Sequence, residues 1–131
     1  MEKRISRYFV FLFVISFLVY FNSTFNPFIW DDFSLIVENP YVKNFKLSFS
    51  SFGKDIYLEV SNFYRPLQII IYSIVYKLFK LNPVGYHFLN IFLHTGCAIL
   101  FFLLLKEVYG ERISFLASLL WAIHPVNTEA I

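Results

Sequence analysis

The chain has 131 residues, of which 58% are hydrophobic, 22% aromatic and 15% charged, with a net charge of +2 and a mean hydropathy of +0.61. That balance excludes a soluble domain of this size, which could not keep its surface wet, and places the chain in a membrane. The scattered basic residues exclude a nucleic-acid footprint and a polybasic lipid patch, and the single cysteine, Cys97, excludes an internal disulfide and reads as small packing volume.

Lys3, Arg4 and Arg7 precede a first apolar span over 8–25, with Asn22-Ser23-Thr24 at its exit. Basic residues before a first span predict a cytoplasmic N-terminus, and no small-residue cleavage site follows, so the span reads as a signal anchor. Residues 26–86 then form a long external loop, with turn signals at Asn26-Pro27, Asn39-Pro40 and Ser50-Ser51-Phe52-Gly53. Its aromatic residues (Phe25, Phe28, Trp30, Phe33, Phe45, Phe49, Phe52, Tyr57, Phe63 and Tyr64) predict a folded surface pressed against lipid headgroups rather than a solvated linker.

Within the loop, Pro66 suits the first position of a helix over 67–80. That run is too short to cross ~30 Å of hydrocarbon. With Ser73, Lys77 and Lys80 on one face, it is expected to lie in the interface. Asn82-Pro83-Val84-Gly85 breaks the chain before a second span over 87–105, whose polar residues His87, Asn90 and His94 share one face near the outer end. Lys106, Glu107, Gly110, Glu111 and Arg112 make a short turn, and a third span begins at Ile113 and is cut short within 113–131. His124-Pro125 reads as a helix end, and the absence of a polar cap at Ile131 leads us to expect the N-terminal part of a longer protein.

The candidate chemistry sits at the membrane edge. Asp31 and Asp32 follow Trp30, an aromatic of the kind that settles at the bilayer surface, and carboxylates in so apolar a setting usually have a function or a partner. Neighbouring side chains point about 100° apart on a helix, so one Asp is expected to react while the other braces, caps or binds a cation. Arg65, whose planar fork matches phosphate oxygens, is the candidate phosphate contact. His87 and His94 lie seven apart with no carboxylate or cysteine beside them, which is not a zinc spacing. His87, His94, His124 and the Asp pair are expected to gather on the outer side around a shared cavity.

Taken together, Trp30-Asp31-Asp32, Asn39-Pro40-Tyr41-Val42, Tyr64-Arg65-Pro66-Leu67, Asn82-Pro83-Val84-Gly85-Tyr86-His87 and His124-Pro125-Val126-Asn127-Thr128-Glu129-Ala130 resemble the N-terminal part of the GT-C membrane glycosyltransferases. The likeness is to O-mannosyltransferase-like proteins that carry tetratricopeptide repeats. The resemblance implies an all-α, multi-pass integral membrane enzyme, of which this chain would hold about three transmembrane helices and be inactive alone. It implies transfer of a sugar, often mannose, from a polyprenyl-phosphate donor to a protein or glycan hydroxyl on the external or lumenal face, in the plasma membrane of a bacterium or the endoplasmic reticulum of a eukaryote. By that carry-over Asp31 is the first choice for catalytic base and Asp32 the second, with Arg65, His87 and His124 as substrate contacts. No metal ligand set is expected, although the chemistry admits a divalent cation. Asn127 departs from the pattern, standing where relatives often have a second histidine. The rival expectation is a non-catalytic membrane anchor or assembly subunit whose loop binds a partner.

Overall fold

The computed structural model describes residues 2–52 and 64–130; Gly53, Tyr57, Phe63 and Ile131 lie outside the described residues. Every regular element among the described residues is helical. In chain order these are α1 (Glu2–Tyr20), α2 (Pro40–Lys43), α3 (Phe45–Ser48), α4 (Pro66–Phe79) and α5 (Pro83–Ala122), with 3-10 turns at Phe21–Phe25, Phe49–Phe52 and Pro125–Ala130 and a π-helical turn at Phe33–Val37. The chain divides into two compact units, Met1–Thr24 with His87–Ile131, and Phe25–Tyr86.

In the first unit, α1 carries no glycine or proline and continues into the 3-10 turn, so that Ile5–Phe25 is long and apolar enough to cross a membrane. Leu12, Ser16 and Tyr20, spaced four apart, are buried, whereas Phe11, Val14, Leu18 and Val19 are exposed. A helix that is apolar on its outward face as well as its inward one suits lipid rather than water.

The second long element, α5, spans 40 residues but is not one rod, because Gly110 has φ 73° and ψ 170°. Tyr8 packs on both Phe102 and Phe115, with ring centroids 5.5 and 4.6 Å away, and Trp121 meets both His94 and Phe101. Phe102 and Phe115 lie on opposite sides of Gly110, as do Trp121 and its two partners, so the helix folds back there into an outgoing arm, 83–109, and a return arm, 111–122. Only glycine adopts that backbone conformation without strain. Ser114 secures the reversal by donating its hydroxyl to the Gly110 carbonyl at 2.7 Å. Ser16, Ala98, Ser114, Ser118 and Ala122 are all fully buried, the small side chains that let helices approach closely where lipid gives no hydrophobic drive for association.

These observations correct the sequence reading. Among the described residues two helices, Ile5–Phe25 and Pro83–Ala122, are long and apolar enough to cross a membrane, against about three expected. The return arm rises about 18 Å at 1.5 Å per residue, because His124-Pro125 ends it early. The expected turn over 106–112 is compressed into Gly110, with helix running through Lys106 and Glu107. Cys97 is exposed, on the outward stripe that also carries Leu93, Leu100 and Leu104, and fills no internal space.

In the second unit two of the Asn-Pro pairs, Asn39-Pro40 and Asn82-Pro83, open the helices that follow them. Asn39 is buried and its Oδ1 accepts from the Tyr41 N–H at 2.9 Å, with Pro40 in the first turn. Asn82 does the same for Val84 at 3.1 Å, ahead of Pro83. Proline fits there because its missing N–H would be unpaired in any case. The helix expected over 67–80 occupies Pro66–Phe79 and packs against α2 and α3. Ser73 does not join Lys77 and Lys80 on an exposed stripe: it is buried and its hydroxyl lies 3.2 Å from that of Ser48, tying α4 to α3. After α4, Lys80 takes φ 55° and its carbonyl accepts from the Tyr86 hydroxyl at 3.0 Å. Gly85 lets the Phe79 ring pack where a Cβ would collide with it.

Replacing Gly110 with alanine is expected to destabilise the protein by about 1–3 kcal/mol through the strained φ alone, since the site has room for a methyl group. Thermal unfolding of the purified protein in detergent measures this, and an unchanged midpoint would refute the strain argument.

Candidate functional site

The turn around the two aspartates divides them by role. The Asp32 N–H donates to the Ile29 carbonyl at 3.0 Å, and the Ile29 N–H donates to Asp32 Oδ2, also at 3.0 Å. This is the reach-back half of a capping box, in which an acidic side chain three residues on satisfies the backbone at the helix start. Ser34 donates its hydroxyl to the Asp31 carbonyl at 3.0 Å. The π-helical turn that follows is closed by the Glu38 N–H on the Phe33 carbonyl at 2.7 Å. Asp32 is thus half-buried and committed to its own turn. Asp31 is exposed, and among the described residues its carboxylate has no hydrogen-bond partner. Of the two carboxylates, Asp32 is the one that caps the turn.

Trp30 sits between them and the preceding segment with φ 46° and a side chain 90% exposed. Arg65 is exposed, immediately before Pro66, and its carbonyl accepts from the Ile69 N–H at 3.2 Å as α4 begins. Asp31, Asp32 and Arg65 all belong to the unit Phe25–Tyr86, whereas His87, His94 and His124 belong to the other.

The histidines do structural work: packing or interhelical hydrogen bonding is the ordinary expectation for His87 and His94, and His94 meets it. In a continuous helix the Trp121 carbonyl would accept from the N–H of residue 125, and that of Ala122 from residue 126. Residue 125 is proline and has no N–H, while the Val126 N–H turns to His124 Nδ1 at 3.2 Å. The His124 N–H closes on the Trp121 carbonyl at 3.2 Å and the Asn127 N–H on that of His124 at 3.1 Å, and side chains add to these bonds and take the Ala122 carbonyl. Asn127 Nδ2 donates to the Trp121 carbonyl at 2.7 Å, His94 Nε2 lies 2.9 Å from the Ala122 carbonyl, and the Tyr20 hydroxyl donates to the His124 carbonyl at 3.1 Å. A carbonyl only accepts, so His94 must carry its proton on Nε2; His124 accepts at Nδ1 and must carry its own on Nε2. His94 is buried, stacked on Trp121 at 4.9 Å and met edge-on by Tyr20 at 5.1 Å.

His94 is therefore a cap and not a member of a solvent-facing polar stripe. His124 is exposed with Nε2 left over from the turn, and His87 is half-buried and engaged with its surroundings. Asn127, the departure from the family pattern, has a role here as a cap donor. The signal that could have revealed this group is the proline at 125, which interrupts the helical bonding one turn back, together with Tyr20 and Asn127 as polar groups in apolar company. Among the described residues no cluster of three or more His, Cys, Asp or Glu could hold a metal ion.

The chain is 35% identical over 120 residues to the human protein O-mannosyl-transferase TMTC3, covering 86% of this chain and 13% of that protein. It is 33% identical over 127 residues to a protein O-mannosyl-transferase of Caenorhabditis elegans, covering 89% of this chain and 18% of the relative. Against the Drosophila melanogaster protein O-mannosyl-transferase Tmtc3 it is 32% identical over 139 residues, with 86% and 15% covered. The chain spans less than a fifth of the length of these relatives. No family model matches it, and no solved structure does. Its likeness to protein O-mannosyl-transferases, expected from its motifs, holds over most of its length.

The cap predicts its own mutational signature. His94→Ala leaves the Ala122 carbonyl buried and unpaired, which costs about 1–3 kcal/mol, and His94→Gln, which keeps a donor, recovers part of it. Thermal unfolding of both variants decides the matter: equal stability of His94→Ala and wild type would show that the contact carries no load.

Proposed function

We propose that this chain is the part of a membrane glycosyltransferase that supplies the catalytic base for transfer of a sugar, mannose on the strength of the relatives' names, from a polyprenyl-phosphate donor to a protein or glycan hydroxyl. The observation that carries the reading is the paired-aspartate turn, in which Asp32 is consumed by the Ile29 N–H and Asp31 stays exposed. An exposed carboxylate outside an apolar span is placed to meet a substrate whose reactive group hangs from a lipid phosphate.

In the proposed step the acceptor oxygen attacks the anomeric carbon of the sugar as Asp31 takes its proton, and the bond from that carbon to the phosphate oxygen breaks with inversion. Arg65 stabilises the phosphate as negative charge builds on it, through a bidentate contact suited to guanidinium. Asp32 holds the turn that aims Asp31. Lys3, Arg4 and Arg7 ahead of the first span, and Lys106 and Arg112 flanking Gly110, favour a cytoplasmic N-terminus and hairpin turn. The unit Phe25–Tyr86 is then external or lumenal, with α4 in the interface and its lysines reaching to the headgroups.

The test compares Asp31→Asn with Asp32→Asn in the full-length protein, measuring mannosyl transfer from a polyprenyl-phosphate donor in purified membranes. Loss of a general base lowers the rate by about 10²–10⁴-fold, so Asp31→Asn is expected to fall in that range without loss of protein. Asp32→Asn keeps an acceptor oxygen for Ile29 and is expected to lose less than about tenfold. Wild-type transfer by Asp31→Asn would remove the catalytic assignment and favour the membrane-anchor reading.

A further inference from the structure

Trp30 is in the wrong place for a structural residue. Its φ of 46° lies in the left-handed region, where a bulky L residue is an outlier and glycine is at ease. The usual compensation is packing, and here there is almost none, since 90% of the residue's surface is exposed. Glycine would relieve the backbone at the loss of very few contacts. A strained position that fold stability does not explain points to a function, and the inference runs from the observed outlier to the role.

Interfacial anchoring explains the exposure but not the strain. A tryptophan that only settles among headgroups can do so from any accommodating backbone conformation. Here the main chain is fixed on both sides: the Asp32 N–H and carboxylate both close on Ile29, and the Phe33 N–H donates to the Trp30 carbonyl at 3.4 Å. The backbone thus puts an aromatic ring next to Asp31, whose carboxylate has no hydrogen-bond partner among the described residues, and both side chains are exposed. Two such neighbours are suited to meet one small rigid object together. A sugar ring is such an object, with apolar C–H faces that lie against an aromatic plane and hydroxyls that a carboxylate accepts from.

We infer that Trp30 is a substrate-binding residue whose indole packs on the sugar of the lipid-linked donor, with its left-handed backbone setting it beside Asp31. The inference rests on the glycosyltransferase reading above, and binding measured without an acceptor separates the two.

The experiment uses the purified full-length protein in nanodiscs and titrates it with radiolabelled polyprenyl-phosphate mannose or with the same polyprenyl phosphate lacking sugar. Trp30→Ala is expected to weaken binding of the mannosylated lipid by about three- to tenfold, the scale of an aromatic contact, and to leave binding of the bare lipid phosphate within about twofold. Trp30→Phe is expected to restore most of the loss. Trp30→Gly should bind the donor as poorly as Trp30→Ala while melting no lower than wild type, a combination that a structural tryptophan could not produce. Unchanged donor affinity in Trp30→Ala overturns the inference, as does an equal loss for both lipids, which would mark Trp30 as a membrane anchor only. A Trp30→Gly protein that melts below wild type overturns it too. Donor binding with the expected ratios but no transfer by the wild type would leave Trp30 in place and remove the catalytic proposal.

Discussion

A helix that ends in apolar surroundings must find donors for its last carbonyls, and the first unit of this chain is organised around that requirement. In water the last turn of a helix can leave carbonyls to solvent. In hydrocarbon an unpaired carbonyl costs several kcal/mol, so the chain has to satisfy it internally. Proline at 125 removes the N–H that Trp121 would have used in a continuous helix; the His124 N–H closes on the Trp121 carbonyl instead and the Asn127 N–H on that of His124, which leaves the Ala122 carbonyl to a side chain. The response draws on three elements: Tyr20 from the end of α1, His94 from the outgoing arm of α5, and Asn127 from the 3-10 turn itself. Each donates to a different carbonyl, and the rings of Tyr20, His94 and Trp121 pack into one aromatic group. One helix terminus thus ties three segments far apart in sequence, a directional link that the mutual attraction of apolar side chains in lipid does not provide.

The contrast with the buried serines sharpens the point. Ser16 and Ser118 are fully buried with hydroxyls that have no partner, whereas Ser114 pays its hydroxyl back to Gly110. Serine is present at the first two positions for its size, and its hydroxyl is tolerated there. At Ser114 the hydroxyl holds the reversal of the chain. The same residue type therefore does two different things within one return arm, and only the backbone conformation at Gly110 separates them.

Much of this was legible in the sequence, and what was not has a common cause. Long apolar runs announce spanning helices because length and composition alone are enough. Pro66 as a helix opener and the separation of Asp31 from Asp32 followed from local stereochemistry, and both readings are local. Asn39-Pro40 and Asn82-Pro83 were misread because the dipeptide serves equally as a turn and as a cap with proline in the first helical turn; the choice depends on whether the asparagine oxygen meets the N–H two residues on, as it does here. Ser73 misled because a polar residue in helical register with lysines looks exposed, and its partner, Ser48, is 25 residues away in sequence. Cys97 was read as internal packing volume and is exposed for the reverse reason: periodicity defines a helix's faces without saying which one a neighbour covers. The third span failed on length, since the proline that ends it was seen but the shortness of the arm it leaves was not weighed.

The backbone outliers carry the deepest lesson about what sequence hides. Gly110 and Trp30 both take positive φ, yet only one of them could be anticipated. Glycine between two charged pairs reads as a reversal, and its conformation is free of penalty. Tryptophan between an isoleucine and two aspartates gives no such sign, because no propensity favours it there and the local geometry is imposed by Asp32 reaching back to Ile29. The energetic asymmetry follows. At Gly110 the chain uses the residue best suited to the conformation, as expected where a turn serves the fold. At Trp30 it uses one of the least suited and leaves the side chain in the open, which is intelligible if the conformation serves what the side chain meets. The two units differ in how they use polar groups: one closes a helix end with them, and the other leaves the Asp31 carboxylate and the Trp30 ring exposed.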